Sequence, residues 1–459
     1  MKVALFVHCF YPRHFYGTET YTLELAHRLQ EMGHDVHVVA ATFEGEPKQE
    51  QPIDAYEYQG IPVVSIDKNA FGHHGLGETY YQPAMRPVLR RVLLDLRPDV
   101  VHVTHLINHT ATLLDEVRAQ EVPMVGTLTD FFGFCYTNTL EAADGSLCGG
   151  PSPSRSNCVA CWLKESRKQE GVGLVRRAAT SPPVLGVAAA GLVRAARLPG
   201  VGAIALGQSV RALVERPDVL GRAYEAFDAV ITPTRFLRDA YERNGLRAPA
   251  HEIRFGVDLP RDPKPRRATS DPLRIGYIGQ LASHKGVDLL VDAFASLGPT
   301  NAELHVFGPE DQDGEYMARL RRSADGRAVS FRGTFPKEQM ADVLGELDLL
   351  AIPSRWYENS PLVLLNALAS HTPVLISDVA GMIEFVEPGA NGLVFARGDS
   401  ADLSRTLRRM VAAPDAIRAM AATTEYPRTT MAMANDTVQV YQQLTGPTSD
   451  RAAPQPGGE

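Results

Sequence analysis

A chain of 459 residues is too long for one hydrophobic core of ordinary size, so two domains of roughly 200 residues each are expected. With 44% hydrophobic and 22% charged residues it has the composition of an ordinary soluble globular protein, and a formal net charge of −8 excludes a general nucleic-acid surface, which needs clustered Lys and Arg. No stretch reaches the ~18 uncharged apolar residues of a membrane span; the run from Pro182 to Val193 is stopped by Arg194 and Arg197.

The apolar run Val3 to Val7 is followed by Tyr-Pro-Arg-His and not by a small-residue cleavage site, so it reads as a first strand of a cytoplasmic protein. From Thr18 to Met32, Tyr21, Leu25, Leu29 and Met32 recur at helical spacing, with Thr18 placed as N-cap and Gly33 as the residue just past the end. Val36 to Ala40 is the second strand, which makes a right-handed βαβ unit. Val100 to Val103, Val122 to Leu128 and Ala229 to Ile231 continue the pattern of buried strands, so the first half is expected to be a doubly wound α/β domain.

The Pro- and charge-rich stretch from Pro260 to Arg267 reads as a linker. Strand patterns resume at Leu273 to Ile278, Leu304 to Phe307, Val329 to Phe331, Leu349 to Ile352 and Val374 to Ile376, each separated by room for a helix. The expected division is a domain over 1–262, an insertion in it over about 131–222, a second α/β domain over 263–425, a helix over 426–445 packing back on the first domain, and a disordered tail over 446–459.

Open parallel sheets bind ligands beyond the carboxyl ends of their strands. No loop there has G-x-G-x-x-G or G-x-x-x-x-G-K-[ST], which argues against a dinucleotide enzyme and against a P-loop nucleotidase. After Leu273 to Ile278 comes Gly279-Gln-Leu-Ala-Ser-His-Lys285-Gly286 and then a helical pattern, which offers a close backbone approach and a cation to a diphosphate. By itself this loop reads equally well as a turn with a solvated lysine. After the strand ending at Ile352 comes Ser354-Arg-Trp-Tyr-Glu358-Asn-Ser-Pro361, with Ser360 expected as N-cap and Pro361 as first helical residue. Amides at such a helix start bind anions, Glu358 can accept from sugar hydroxyls, and Asn366 lies two turns further on.

The order of the Lys285-Gly286 loop, the Glu358-x-x-Pro361 helix start, Pro373-Val-Leu-Ile-Ser-Asp and Gly381-Met-Ile-Glu384 resembles the retaining glycosyltransferases of family four, which have the GT-B fold. Gly17-Thr-Glu, Pro98-Asp-Val-Val-His-Val-Thr-His105 and Thr127-Leu-Thr-Asp130 are also similar to that family, and the likeness runs to about Leu444. The resemblance implies two Rossmann-like domains facing across a cleft, with a sugar moved from a nucleotide-diphosphate donor to a sugar or lipid-linked acceptor. It implies Glu358, His105 and Asp130 as catalytic residues, and Gly17, Gly279, Gln280, Lys285, Asn359, Ser360, Leu362, Asn366 and Glu384 as donor-binding residues. Three positions depart from the family pattern: Asn366 replaces its second glutamate, Gln280 an arginine and Thr129 a histidine. A sugar-nucleotide epimerase, a phosphorylase and a non-catalytic scaffold on the same fold are the alternatives. No metal is expected for transfer, and Asp311 and Asp313 read as a polar turn.

Cys135, Cys148, Cys158 and Cys161 form C-x12-C-x9-C-x2-C in a polar segment. Without a signal peptide such a set points to metal, with structural zinc favoured over an iron–sulfur cluster. Cys9 reads as a small core residue. His102 and His105 fall on opposite faces of a strand end and are not expected to share a metal with His109, while His73 and His74 read as a surface loop or acceptor contact. The stretch from Leu174 to Arg216, with Arg176, Arg177, Arg194 and Arg197, reads as helices packing on the domain, with peripheral contact to the inner face of the membrane as the second reading.

Overall fold

The computed structural model describes residues 1–43, 46–72, 75–166, 182–202, 204–259, 268 and 270–446. The expectations for His73, His74, Arg176, Arg177, the linker at 260–267 and the tail beyond Gly446 therefore lie outside the described residues.

The first domain is built on β1 (Lys2–Phe6), β2 (Asp35–Thr42), β3 (Ile53–Tyr58), β4 (Ile61–Asp67), β5 (Val100–Val103), β6 (Met124–Thr127), β7 (Ala229–Thr232) and β8 (Ala250–Glu252). They form one sheet in the order β3-β4-β2-β1-β5-β6-β7-β8. All neighbours are parallel except β3 and β4. Those two form an edge hairpin turned by Gln59 and Gly60, whose φ values of 49° and 80° match the two-residue turn that suits strand twist. Central strands such as β5 and β6 are buried along their whole length, so they read as continuous apolar runs with no alternation.

The second domain carries β9 (Leu273–Ile278), β10 (Ala302–Phe307), β11 (Val329–Phe331), β12 (Leu349–Ile352), β13 (Val374–Ser377) and β14 (Gly392–Phe395). Its sheet is parallel throughout, in the order β11-β10-β9-β12-β13-β14. The strand order reverses between β1 and β5 in one sheet and between β9 and β12 in the other. Crevices open at such reversals, and both domains turn theirs toward the same cleft.

The helix Thr430–Thr445 lies against the first domain although it follows the second. Tyr441 is fully buried there, with its hydroxyl 2.6 Å from His102 Nδ1. Burial drives His102 down to about 3, so it stays neutral and serves as a core hydrogen-bonding group between Tyr441 and Thr127. At the start of this helix, Thr430 and Asp258 are joined to Arg28 of the first helix. One apolar cluster runs from Val3 and Leu25 through Phe255 and Tyr441 to Leu364 and Ile376, so the two domains share a core.

Two expected caps are corrected. The first helix is Gly17–Glu31, and Tyr16 stands at its N-cap without a side-chain bond, because Thr18 is already inside the helix and its carbonyl accepts from Thr22. The helix after Glu358 is Leu362–Ala369 with Pro361 at the N-cap, so Ser360 lies one residue outside and caps nothing. Between β6 and β7 the described chain forms the helices Ser156–Glu165, Pro182–Ala195 and Ala205–Tyr224, which share a small core of their own. No described helix is long and apolar enough to cross a membrane.

Candidate active site

The loops after β9 and β12 meet at the reversal point of the second sheet. Gly286, at φ 73°, follows the short turn Ser283–Lys285, and a Cβ there would lie 2.0 Å from the Pro353 carbonyl oxygen, so only glycine lets the Lys285 loop sit against the β12 loop. Arg355 clamps the same junction. Its guanidinium donates to the Ser283 carbonyl at 2.8 Å and pairs with Asp288 at 2.6 Å. Gly381, at φ 90°, serves the other side: a Cβ would come within 1.9 Å of the Glu358 carbonyl oxygen.

These contacts fix Glu358 and Lys285 together. Lys285 Nζ lies 2.6 Å from Glu358 Oε1, which also accepts from Ser354 Oγ at 2.5 Å and Trp356 Nε1 at 3.0 Å. The Lys285 ammonium stands 5.0 Å from the centre of the Trp356 ring. Burial pushes the Glu358 carboxyl up, but the charge of Lys285 and the three donors outweigh it and hold it below the usual carboxylate range. Glu358 is therefore an anion in a nearly dry wall. Ser354 is held in turn through its carbonyl, which accepts from Ser377 Oγ at 2.6 Å.

Just beyond, the start of the Leu362–Ala369 helix has no capping side chain, and Ser360, Leu362 and Val363 at that start line the cleft. Ser360 Oγ and Asn359 Oδ1 are buried without a hydrogen-bond partner. A buried polar atom left alone costs free energy: beside the uncapped helix start the Ser360 hydroxyl can donate to an anion, whereas Asn359 Oδ1 only accepts and calls for a donor such as a hydroxyl. The cleft encloses about 360 Å³.

Across it stands the first domain. Gly17 opens the first helix there, and a Cβ on it would meet no atom within 4 Å, so the space it leaves belongs to the cleft. Asp130 lines the same wall, and His105 stands behind it with Nε2 3.1 Å from Asp130 Oδ2. His105 Nδ1 accepts from the Ile107 amide at 3.2 Å, which assigns the ring hydrogen to Nε2 and makes His105 a donor to Asp130. Asp130 Oδ1 accepts from the Phe132 amide at 2.8 Å. Behind His105, at 4.3 Å between rings, His8 joins Cys9 and Glu19 in a buried hydrogen-bonded group, with Cys9 donating to Glu19 at 3.0 Å. This is the one trio of possible metal ligands within 4.8 Å of each other among the described residues. His109, held neutral near 4 by burial, lies 2.8 Å through Nε2 from the Val7 carbonyl and is not part of a metal set.

Three expected donor contacts, at Gly279, Gln280 and Glu384, are placed otherwise. Asn366 lines a second cavity of about 330 Å³ that shares Phe255 and Leu362 with the first, so it reaches only ligand atoms that extend past the diphosphate region. Gly279 and Gln280 do not line the cleft: the Gly279 amide bonds to Phe307 and the Gln280 carbonyl accepts from Tyr277, contacts that turn this stretch into its own domain. Glu384 crosses the domain boundary and accepts from the amides of Arg235 and Phe236, at 3.1 and 2.7 Å, at the start of the helix Arg235–Arg243. It fastens the domains together and is 10% exposed. Asp313 caps the helix Gly314–Ala324 by accepting from Tyr316, as a polar turn does.

Sequence reasoning missed Ser354, Trp356, Tyr357, Asn138 and Thr139. The first three sit inside the quoted Ser354-to-Pro361 run, where a Trp beside the key carboxylate was the available signal. Asn138 and Thr139 lie between cysteines and carry no local signal for a cleft. The four cysteines are thiols that line one small cavity with Tyr136, Glu141, Gly150 and Asn157.

Residues 272–413 match the family described as "Glycosyl transferases group 1", and residues 15–137 match "Glycosyltransferase Family 4". The chain is 32% identical over 198 residues to a glycogen synthase of Mycobacterium tuberculosis, a stretch that is 41% of this chain and 47% of that one. It is 33% identical over 162 residues to a D-inositol 3-phosphate glycosyltransferase of Nocardia farcinica, covering 33% and 36% of the two chains. It thus spans less than half the length of these curated relatives. Among solved structures, sucrose-phosphate synthase from Thermosynechococcus elongatus superposes with a TM-score of 0.63 at 17% identity, covering 96% of this chain and 98% of that one. Anabaena HepE in complex with UDP and glucose superposes with a TM-score of 0.61 at 15% identity, covering 96% and 99%. A segment in each half of the chain therefore matches a glycosyltransferase family, and the whole has the two-domain GT-B fold.

Proposed function

We propose that the protein transfers a sugar from a nucleotide-diphosphate donor to an acceptor hydroxyl, with retention of anomeric configuration, in the assembly of a polysaccharide or glycolipid. The observation that carries this reading is the Lys285–Glu358 pair beside an uncapped helix start, with Asp130 and Gly17 opposite. The diphosphate would lie at the amides of Leu362 and Val363 with Lys285 turned toward it and the Ser360 hydroxyl as a further donor, while Asn359 Oδ1 would accept from a donor hydroxyl. Glu358 would accept from hydroxyls of the donor sugar, while Asn366 would reach the nucleoside end. That the relative HepE has been solved with UDP and glucose fits this arrangement.

In the reaction the bond from the anomeric carbon to the phosphate oxygen breaks and the nucleoside diphosphate leaves as an anion. The acceptor oxygen bonds to the same face of that carbon, and its proton passes to the departing phosphate oxygen. A diphosphate is already a good leaving group, so Lys285 and the helix amides act by stabilising developing charge. Asp130, oriented by His105, would hold the acceptor hydroxyl. A set of exposed apolar side chains, Val187, Leu198, Ile204 and Leu206, beside the exposed Arg194 and Arg197 supports peripheral contact with a membrane carrying a lipid-linked acceptor.

Donor-turnover assays with a panel of nucleotide sugars test the proposal. Consumption of donor only when acceptor is present supports transfer; consumption without acceptor would mean epimerisation, phosphorolysis or hydrolysis, and saturable binding with no turnover would mean a scaffold.

A further inference from the structure

We propose that Cys135, Cys148, Cys158 and Cys161 bind one zinc ion, and that this ion fixes the loop whose Asn138 and Thr139 form a wall of the transfer cleft. The inference rests on the transfer reading only for what the wall is used for.

The four thiols come from separate places: Cys135 after β6, Cys148 on the following loop, and Cys158 with Cys161 on the helix Ser156–Glu165. All four nevertheless line one small cavity of about 20 Å³. Thiolates in such a set are the ligands of tetrahedral zinc. No three of the sulfurs lie within 4.8 Å of one another, whereas Zn–S bonds of about 2.3 Å place sulfurs about 3.8 Å apart. Binding must draw the segments inward.

What moves is the cleft wall. The chain from Cys135 to Glu141 lines the cysteine cavity at Cys135, Tyr136, Thr137, Leu140 and Glu141, and lines the transfer cleft at the two residues between, Asn138 and Thr139. Both ends are tied to the thiols. Cys135 donates its amide to Phe131 at 2.8 Å, next to Asp130, and the Cys148 amide donates to Leu140 at 2.7 Å. Asn138 and Leu140 have φ of 61° and 52°, left-handed values that cost free energy in residues with a Cβ and persist where surrounding contacts impose them. Asn138 lines the cleft, and its Oδ1 is buried and unpartnered, an acceptor without a donor in this arrangement of the loop.

The test uses the full chain, reduced and stripped with a chelator, then titrated with Zn²⁺ alone and, separately, with Co²⁺. Zinc should bind at one ion per chain, and cobalt should give thiolate charge-transfer with tetrahedral d–d bands. Cys158→Ser/Cys161→Ser should weaken binding at least 100-fold. Hydrogen exchange of residues 131–141 in the wild type should slow at least tenfold on adding zinc, a readout that needs no variant to fold and no turnover. Absence of stoichiometric zinc, undiminished binding by the double variant, or iron with sulfide in the purified protein would overturn the site. Zinc binding without a change in 131–141 exchange would overturn the coupling. Failure of the transfer reading shows separately, as the absence of stabilisation by nucleoside diphosphate in both metal-loaded and stripped protein.

Discussion

Removing Lys285 strands a carboxylate. In Lys285→Ala, Glu358 keeps its bonds from Ser354 and Trp356 but loses the ammonium at 2.6 Å, while its side chain is only 11% exposed. Breaking one partner out of a buried pair costs about 3–5 kcal/mol, and the two remaining donors place this case near ~3 kcal/mol at neutral pH. For a domain of this size that corresponds to a fall in Tm of about 6–12 °C. The pH dependence fixes the cause. In the wild type the carboxyl is held below its ordinary value, so the stabilisation is complete above the unfolded pKa and is lost as pH falls through the folded one. In the variant only the Ser354 and Trp356 donors oppose burial, the carboxyl rises toward and past its unfolded value, and the penalty is relieved as pH falls through that raised value. The gap between the two proteins should therefore close on acidification from pH 8. The double variant Lys285→Ala/Glu358→Gln, with no charge to strand, should recover most of the loss at every pH. Thermal melts followed by circular dichroism measure both effects. A double variant as unstable as Lys285→Ala, or a gap that stays constant as the pH is lowered, would refute the reasoning.

The same substitution should weaken binding of a nucleoside diphosphate by roughly 10–150-fold, the equivalent of ~1.5–3 kcal/mol for a hydrogen bond to charge, and leave the nucleoside unchanged by calorimetry. Asn366→Ala should raise the donor KM by about fivefold with kcat retained, the size of one ordinary hydrogen bond, whereas Glu358→Ala should lower kcat, as steady-state kinetics will show. Gly381→Ala forces a Cβ onto the Glu358 carbonyl and should depress kcat while the far side of the cleft binds acceptor normally. Glu384→Ala removes two charge-assisted bonds at the start of the Arg235–Arg243 helix and should cost about 1–2 kcal/mol by denaturant unfolding.

The fold was legible because buried parallel strands write themselves as short apolar runs: ten of them were placed from Val3 to Ile376. What escaped was short, on an edge, or turned by unusual residues. The edge strand β3 is exposed along its middle, so it lacks an apolar run, and it joins β4 through Gln-Gly, a pair outside the usual Asn-Gly signature. At β8 only three residues pair, too few for periodicity. The candidate site was legible where its residues follow a strand directly, as Lys285 and Glu358 do. Local sequence could not say that Glu384 reaches across to the amides of Arg235 and Phe236, or that Asn138 turns out of a cysteine loop into the cleft, because both depend on pairing between distant segments.

The departures from the family pattern acquire physical accounts in this geometry. Position 129 touches the second domain through its backbone, since Asn359 Nδ2 donates to the Thr129 carbonyl at 2.8 Å, so that contact does not depend on which side chain stands there. A threonine in place of a longer ring then changes space in the cleft and leaves the domain contact in place. At Gln280 the backbone carbonyl accepts from the Tyr277 hydroxyl, and the residue is not among those that line the cleft. That leaves Lys285 as the nearby cation lining the cleft, and it is shared with Glu358. The helix amides must then carry a larger part of the leaving-group charge, which agrees with a start left free of any capping side chain. Asn366, one turn along that helix in the adjoining cavity, offers a neutral hydrogen bond where a carboxylate would add negative charge. Lys337 lines the same cavity and is paired with Glu24, so a neutral residue at 366 adds no further negative charge beside Glu24, Asp258 and Glu338.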